Sequence, residues 1–382
     1  MDCLNGFGVN ILGHNHKILT EAGIEFFEKK YPFQILDKMS SIRKEYIEIL
    51  FSIFSENMKN NVRIQFAGGS GSDAVETALE LAKKYTGRDI IAGFSGCYHG
   101  LTSGSMEITG NECDKYGNSH CNIIHFPFPD ENNSVFGKDE KNDVELILKY
   151  IENSLDDPKK GYTKPAAFIM EVVQSDGGIN IAPLQFVKEI RRITQERNIL
   201  LIIDEVQTGF CKTGSYFGFQ QYDIEPDIIV LSKALGAGMP LSAIIFKNEI
   251  DIPCSHGTFR GNQIAMYLGK KQLEYIIKNK INQHVLSIES YLKNKTNCII
   301  QNFKCVRQIK IKGILMAIDF YNEKTNNLDP EKANVVYKEC FRNKLLCKLG
   351  GRHNASLIFF MSLLITYDEI DELINIITHS II

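Results

Sequence analysis

Leu200-Leu201-Ile202-Ile203-Asp204-Glu205 is the stretch on which the reading of the fold turns. A run of branched apolar residues this short suits a strand buried on both faces better than a helix. The run ends abruptly in a carboxylate. Further on, Ile228-Ile229-Val230-Leu231-Ser232-Lys233 repeats the pattern with a lysine at its end. Open α/β sheets bind ligands outside the carboxyl ends of their strands, so charges there tell more than charges on a helix face. Working outward, 90–94, 166–171 and 242–246 read as further strands, and 73–85, 185–197 and 263–279 as amphipathic helices. This alternation predicts an α/β fold with an open, mostly parallel sheet covered by helices on both faces. Residues 131–162 are polar and read as loop, surface helix (144–154) and loop. From about residue 280 the pattern changes to a long helix (281–298), strands within 306–320 and helices at 331–342 and 367–377, a smaller α+β domain. The organisation expected is a short N-terminal segment (1–40), a large domain (41–279) and a small C-terminal domain (280–382).

Composition narrows the function classes. The 382 residues are 44% hydrophobic and 23% charged, ordinary for a globular protein and sufficient for a core without disulfide or metal staples. Lys and Arg total 43 against 46 Asp and Glu, a net charge of −3, which argues against a nucleic-acid binder. No apolar run approaches the ~20 residues of a membrane span. Met1-Asp2-Cys3-Leu4-Asn5 lacks the basic and apolar regions of a secretory signal. Ten cysteines without a Cys-x-x-Cys pair read as reduced thiols of a cytoplasmic protein. Cys113, His120, Cys121 and His125 fit no standard zinc spacing, and no metal is expected.

Three motifs carry chemistry. Gly68-Gly69-Ser70-Gly71-Ser72-Asp73 precedes a helix whose apolar positions are Ala74, Ala78, Leu81 and Tyr85, and Asp73 with Glu76 resembles a capping box. Small residues admit a ligand close to the backbone, and the free N–H groups of a helix start favour an anion such as phosphate. The spacing matches neither Gly-x-Gly-x-x-Gly nor the Walker pattern, so neither a dinucleotide nor a nucleoside triphosphate is indicated. A Gly-rich turn with an ordinary cap is the plainer alternative. Asp204 and Lys233 supply the other two motifs. A desolvated lysine has a depressed pKa and acts as a nucleophilic amine. A pyridoxal phosphate enzyme needs that lysine, an acid against the pyridine nitrogen and a phosphate cradle. For an isolated lysine, a solvated strand-end charge is the alternative, but three matching elements favour the site.

At this point the chain resembles a known family. Asp204-Glu205-Val206-Gln207-Thr208-Gly209-Phe210-Cys211-Lys212-Thr213-Gly214 is similar to the D-E-V-Q-T-G-F-G-R-T-G stretch of class III pyridoxal-phosphate aminotransferases. Leu231 to Ser242 resembles their lysine segment, and Gly96-Cys97-Tyr98-His99-Gly100 their aromatic-His-Gly turn. Within the class, the subgroup that uses 2,4-diaminobutyrate as amino donor reads most like this chain. The basis is Phe66 to Lys83, Gly257-Thr258-Phe259-Arg260-Gly261-Asn262 and Gly13-His14-Asn15-His16. The resemblance implies the type I fold of pyridoxal-phosphate transferases, with a seven-stranded sheet in the large domain.

It also implies roles. Lys233 would hold the cofactor covalently and shuttle a proton, and Asp204 would pair with the pyridinium nitrogen. Gln207 would contact the phenolic oxygen, Tyr98 would stack on the ring, and Glu171 would lie near the cofactor. Gly71 and Ser72 would cradle the phosphate, and Thr258 would reach the phosphate of a neighbouring subunit, making a homodimer with shared sites. The reaction implied moves the terminal amine of L-2,4-diaminobutyrate to 2-oxoglutarate. An aminomutase, an acetylornithine- or 4-aminobutyrate-type aminotransferase and a non-catalytic relative are the alternatives. Departures fall at the substrate side. Ser175 and Asp176 stand where the family has Gly and Glu, Ile358 stands at the usual carboxylate-binding Arg, and Arg260 and Arg352 are the expected substitutes. The chain begins almost at the first family motif, which implies a shortened N-terminal helix and strand.

Overall fold

In the computed structural model, which describes residues 1–36, 38–110, 122–130, 134–137, 142–253 and 257–382, the two charge-ended strands lie side by side. In chain order the strands are β1 (Val62–Phe66), β2 (Ile91–Phe94), β3 (Ile123–Phe126), β4 (Ala167–Met170), β5 (Val173–Gln174), β6 (Asn180–Ile181) and β7 (Leu200–Asp204). They continue with β8 (Ile228–Leu231), β9 (Ala243–Lys247), β10 (Val306–Lys312), β11 (Leu315–Phe320), β12 (Lys348–Gly350) and β13 (Ser356–Phe360). The large sheet runs β1-β9-β8-β7-β4-β2-β3, with β9 antiparallel to both neighbours and the other pairings parallel.

Successive strand residues point to opposite faces, and the helices sort accordingly. On one face Ile91, Ile169 and Ile202 pack with Ala74, Val75, Ala78, Leu79, Leu81 and Ala82 of the helix Gly71–Thr86. On the other, Phe168, Leu201 and Ile203 join Phe186 and Ile190 of the helix Leu184–Glu196. Phe126 stacks on Phe168 at 5.5 Å, closing the sheet toward its β3 edge. Tyr85, expected on the apolar face, is 41% exposed, because the core ends one turn earlier at Ala82. β1 and β3 were not expected as strands. Both are edges carrying polar residues (Arg63 and Gln65; His125), so neither presents the unbroken apolar run that marks central strands.

The small C-terminal sheet, β10-β11-β13-β12, is antiparallel throughout and is packed by the helices Ile281–Asn302 and Pro330–Arg342. The N-terminal residues run along it: the Phe360 N–H donates to Cys3 O (2.7 Å) and the Leu363 N–H to Ile11 O (2.8 Å). The β5–β6 hairpin is tied to it by Lys310, whose Nζ reaches Asn180 Oδ1 (2.9 Å) and Asp319 (2.8 Å). Cys113, His120 and Cys121 of the weighed metal cluster lie outside the described residues. His125 Nε2 lies 2.9 Å from the Ile108 carbonyl.

Candidate active site

The parallel strands β1, β2, β4, β7 and β8 all end at one edge of the large sheet, and the segment after each supplies part of one cavity of about 500 Å³. β1 leads to Ser70-Gly71-Ser72, β2 to Tyr98-His99-Gly100, β4 to Glu171, β7 to Asp204 and Gln207, and β8 to Lys233.

The cradle after β1 is a sixteen-residue helix capped by Ser70. Ser70 Oγ accepts from the Asp73 N–H (3.3 Å), and Asp73 Oδ2 accepts from the Ser70 N–H (2.9 Å). The capping box is therefore Ser70 with Asp73, not Asp73 with Glu76. Glu76 instead accepts from Thr102 Oγ1 (2.7 Å) and the Gly104 N–H (2.7 Å), fixing the loop after β2. At Gly71 an added Cβ would stand 3.2 Å from Val206 Cγ1, so the helix start passes tightly over the strand end. Its first N–H groups and positive dipole end face the cavity side occupied by Ser70, Gly71 and Ser72, which suits a phosphate.

Asp204 and Glu171 sit level on neighbouring strand ends and are both buried. Asp204 Oδ2 meets His99 Nδ1 at 2.8 Å, and Oδ1 accepts from the Val206 N–H at 2.9 Å, so each carboxylate oxygen is held. Burial works against a charged His99 imidazole, but the neighbouring Cys97 and Asp204 outweigh it and hold His99 well above the ordinary histidine range. Glu171 accepts from the N–H groups of Tyr98 (2.9 Å) and Ser175 (3.2 Å), and burial pushes its carboxyl up to about 8.

Lys233 has φ 46, the left-handed region that few non-glycine residues adopt and that is held only where its surroundings enforce it. Its Nζ donates to Gln207 Oε1. Burial pushes its ammonium down to about 8, against the opposing pull of Asp204 and Glu171. The result is an amine with a substantial free-base fraction near neutrality, as a nucleophile and proton carrier requires.

These groups fit pyridoxal phosphate. Among the described residues, the buried Nε2 atoms of Gln207 and His99 have no hydrogen-bond partner, and both residues line the cavity. Lys233, Asp204, the cradle and an orphaned amide donor thus meet around one space of suitable volume.

Of the residues expected from sequence, Lys233, Asp204, Gly71, Ser72, Tyr98, Glu171 and Gln207 all line this cavity. Thr258 does not; it is exposed, and its carbonyl accepts from Gln34 Nε2 at 2.8 Å. Arg260 and Arg352, expected near the substrate carboxylate, are also absent from the lining, and Arg352 Nε lies 3.6 Å from Asp130. Lys348 lines the cavity, directly across β12–β13 from Ile358 and paired with Asp176.

Sequence reasoning missed Lys348, and also Phe7 and Lys212. Fully buried Lys212 donates from Nζ to Gly8 O at 3.4 Å, and burial, reinforced by Lys233, pushes it down to about 7. Gly8, with φ +80, lets the N-terminal loop approach so closely that a Cβ there would stand 2.3 Å from Gln207 Nε2. No local pattern flags Phe7 or Lys348, since they come from distant segments. The replacement of the motif's Arg by Lys212 was the available signal.

A half-buried strand-end lysine and a buried acid beside a phosphate-accepting helix start define a pyridoxal-phosphate enzyme on an open α/β sheet. The chain belongs to the class-III aminotransferase family, whose model matches residues 1–381, and it is a pyridoxal-phosphate-dependent transaminase. It is 36% identical to a diaminobutyrate–2-oxoglutarate aminotransferase of Haemophilus influenzae, over 100% of this chain and 86% of that protein. It is 33% identical to the Rhizobium meliloti protein of the same name, over 97% and 82%. An amine transaminase from an uncultivated Pseudomonas species, solved with pyridoxal phosphate bound, shares the fold at TM-score 0.91 and 23% identity, over 100% of this chain and 90% of that one. A Bacillus anthracis aminotransferase gives 0.86 at 27% identity, over 100% and 88%.

Proposed function

We propose that the chain transfers the terminal amino group of L-2,4-diaminobutyrate to 2-oxoglutarate, giving aspartate 4-semialdehyde and glutamate. The aminotransferase part rests on Lys233, a half-buried amine of lowered pKa in the same cavity as Asp204. The choice of donor is supported by relatives of that name that are 30–36% identical along this whole chain or nearly so. Bound pyridoxal phosphate supplies the carbonyl that carries the amino group and the ring that draws electrons from the reacting carbon. Lys233 would be the attachment point and, with its Nζ free, would carry the proton between the amine-bearing carbon and the cofactor carbon that receives the amino group. Asp204, braced by His99, keeps the ring nitrogen protonated. Gln207, with its unpartnered Nε2–H, would donate to the phenolic oxygen, and Tyr98 would cover the ring. The N–H groups of Gly71 and Ser72 would hold the phosphate, and Glu171, fixed by the Tyr98 and Ser175 N–H groups, would lie beside the ring.

Thr258, exposed and away from its own chain's cavity, serves the phosphate site of a second copy in a homodimer. The same reading puts the protein in the cytoplasm, where thiols such as Cys3, Cys340 and Cys347 persist reduced. Among the described residues no helix is long and apolar enough to cross a membrane. The test is a panel of amine donors with purified holoenzyme and 2-oxoglutarate. Diaminobutyrate should give the highest kcat/KM; a higher value for N-acetylornithine, ornithine or 4-aminobutyrate overturns the donor assignment. A monomer by light scattering overturns the dimer.

A further inference from the structure

The cavity has a second wall that the transamination chemistry does not use. Asp176 stands in the turn of the β5–β6 hairpin, anchored to the small sheet by the Gly351 N–H, which donates to its carbonyl at 3.2 Å. Lys348 opens the edge strand β12. The two side chains form an ion pair across the gap between the sheets, and both line the same cavity as Lys233. Neither is deeply buried: the side chains are 25% (Lys348) and 30% (Asp176) exposed. The Phe7 ring flanks Lys348 with its centroid 5.8 Å from Nζ.

The other charges of the lining are committed elsewhere. Asp204 is held by His99 and Val206, Glu171 by Tyr98 and Ser175, and Lys233 by the chemistry itself. Among the described residues of the lining, Asp176 and Lys348 are thus the opposite-charge pair that is solvated enough to exchange partners. A partly exposed pair contributes little by itself, so opening it for a better partner is cheap.

We infer that Asp176 and Lys348 together read the free α-amino-acid head of the donor, Asp176 taking its α-ammonium and Lys348 its α-carboxylate. A zwitterion entering between them makes an alternating set of four charges. Every charge gains an opposite neighbour, and the head itself adds no net charge. Only a donor whose reacting amine is at the far end from such a head satisfies both residues. A donor missing one head group leaves one residue without its match, which is where discrimination is strongest. The pair also acts with opposite sign on the acceptor: 2-oxoglutarate carries two carboxylates and no ammonium, so Lys348 attracts it and Asp176 repels it.

This inference rests on the donor reading above, and the two can fail separately. 4-Aminobutyrate is diaminobutyrate without its α-amine, and 1,3-diaminopropane is diaminobutyrate without its carboxylate. With holoenzyme, Asp176→Asn should lower the preference for diaminobutyrate over 4-aminobutyrate about tenfold or more, through KM rather than kcat. The same variant should lower KM for 2-oxoglutarate. Lys348→Gln should erase the preference over 1,3-diaminopropane and raise KM for 2-oxoglutarate, with Lys348→Arg restoring both. If Asp176→Asn leaves the diaminobutyrate to 4-aminobutyrate ratio within twofold, or raises KM for donor and acceptor alike, the inference is overturned and the donor reading stands. If ornithine proves the better donor, the donor reading falls. The comparison of ornithine with 5-aminopentanoate, its analogue without the α-amine, then decides the inference on the same criterion. A wild-type enzyme that discriminates against neither missing head group overturns it outright.

Discussion

The two walls of the cavity are built on opposite principles. The wall at the large sheet is made of strand ends: Asp204 and Glu171 are buried, and each of their carboxylate oxygens has an identified hydrogen-bond partner. Burial depresses Lys233 and raises Glu171, so the charge states there follow from the packing of the whole domain. The wall at the small sheet is one partly exposed ion pair between a hairpin turn and an edge strand, with Phe7 of the N-terminal loop beside it. Preorganised groups in a water-poor site act on the transition state, whereas solvated groups act on binding. Substitutions at the first wall should therefore lower kcat, and those at the second should change KM and substrate choice.

The largest effect expected is at Lys233. Lys233→Ala should remove the attachment point and the proton carrier together, lowering kcat by more than the roughly 10²–10⁴-fold that proton transfer alone contributes. Borohydride reduction followed by peptide mapping should label Lys233 in the parent protein and nothing at that position in the variant. A label on another lysine would displace Lys233 from its role. Next in size is Asp204→Asn, which keeps the shape but removes the charge facing the ring nitrogen and His99. A fall in kcat of about 10²–10³-fold with a much smaller change in donor KM is expected from losing one preorganised electrostatic partner. A change mainly in KM would erase the contrast between the walls.

The pH dependence sharpens the comparison without a mutation. In cofactor-free protein only the unprotonated amine reacts with an acylating reagent. Modification of Lys233 should rise with pH through a midpoint of about 8, rather than near the ordinary 10.5. A midpoint near the ordinary value, read by mass spectrometry of the Lys233 peptide, would show the wall to be wetter than its packing implies. The smallest effect is at Ser70. Ser70→Ala removes the cap of the phosphate-side helix and should cost about 1 kcal/mol, seen as a lower thermal midpoint. Added phosphate should protect the variant less than the parent.

What the sequence determined by itself is the first wall. Apolar runs ending in Asp204 and Lys233 announce central parallel strands, and position at the strand ends then follows from how such sheets are built. The glycine- and serine-rich turn announces the anion-binding helix start in the same local way, although only the structure assigned the cap to Ser70 rather than Asp73. The edge strands β1 and β3 escaped that reading because their sequences are mixed, and of the second wall only Asp176 was marked, as a departure from the family pattern. Lys348 and Phe7 are unremarkable in their own segments, and for the partner of a substrate carboxylate the sequence pointed to Arg260 and Arg352 instead. Only the tertiary structure brings a hairpin turn, an edge strand and the N-terminal loop to one rim. Buried strands carry their surroundings in their own composition, because both faces must be apolar. A partly solvated ion pair between segments far apart in the chain leaves no such imprint.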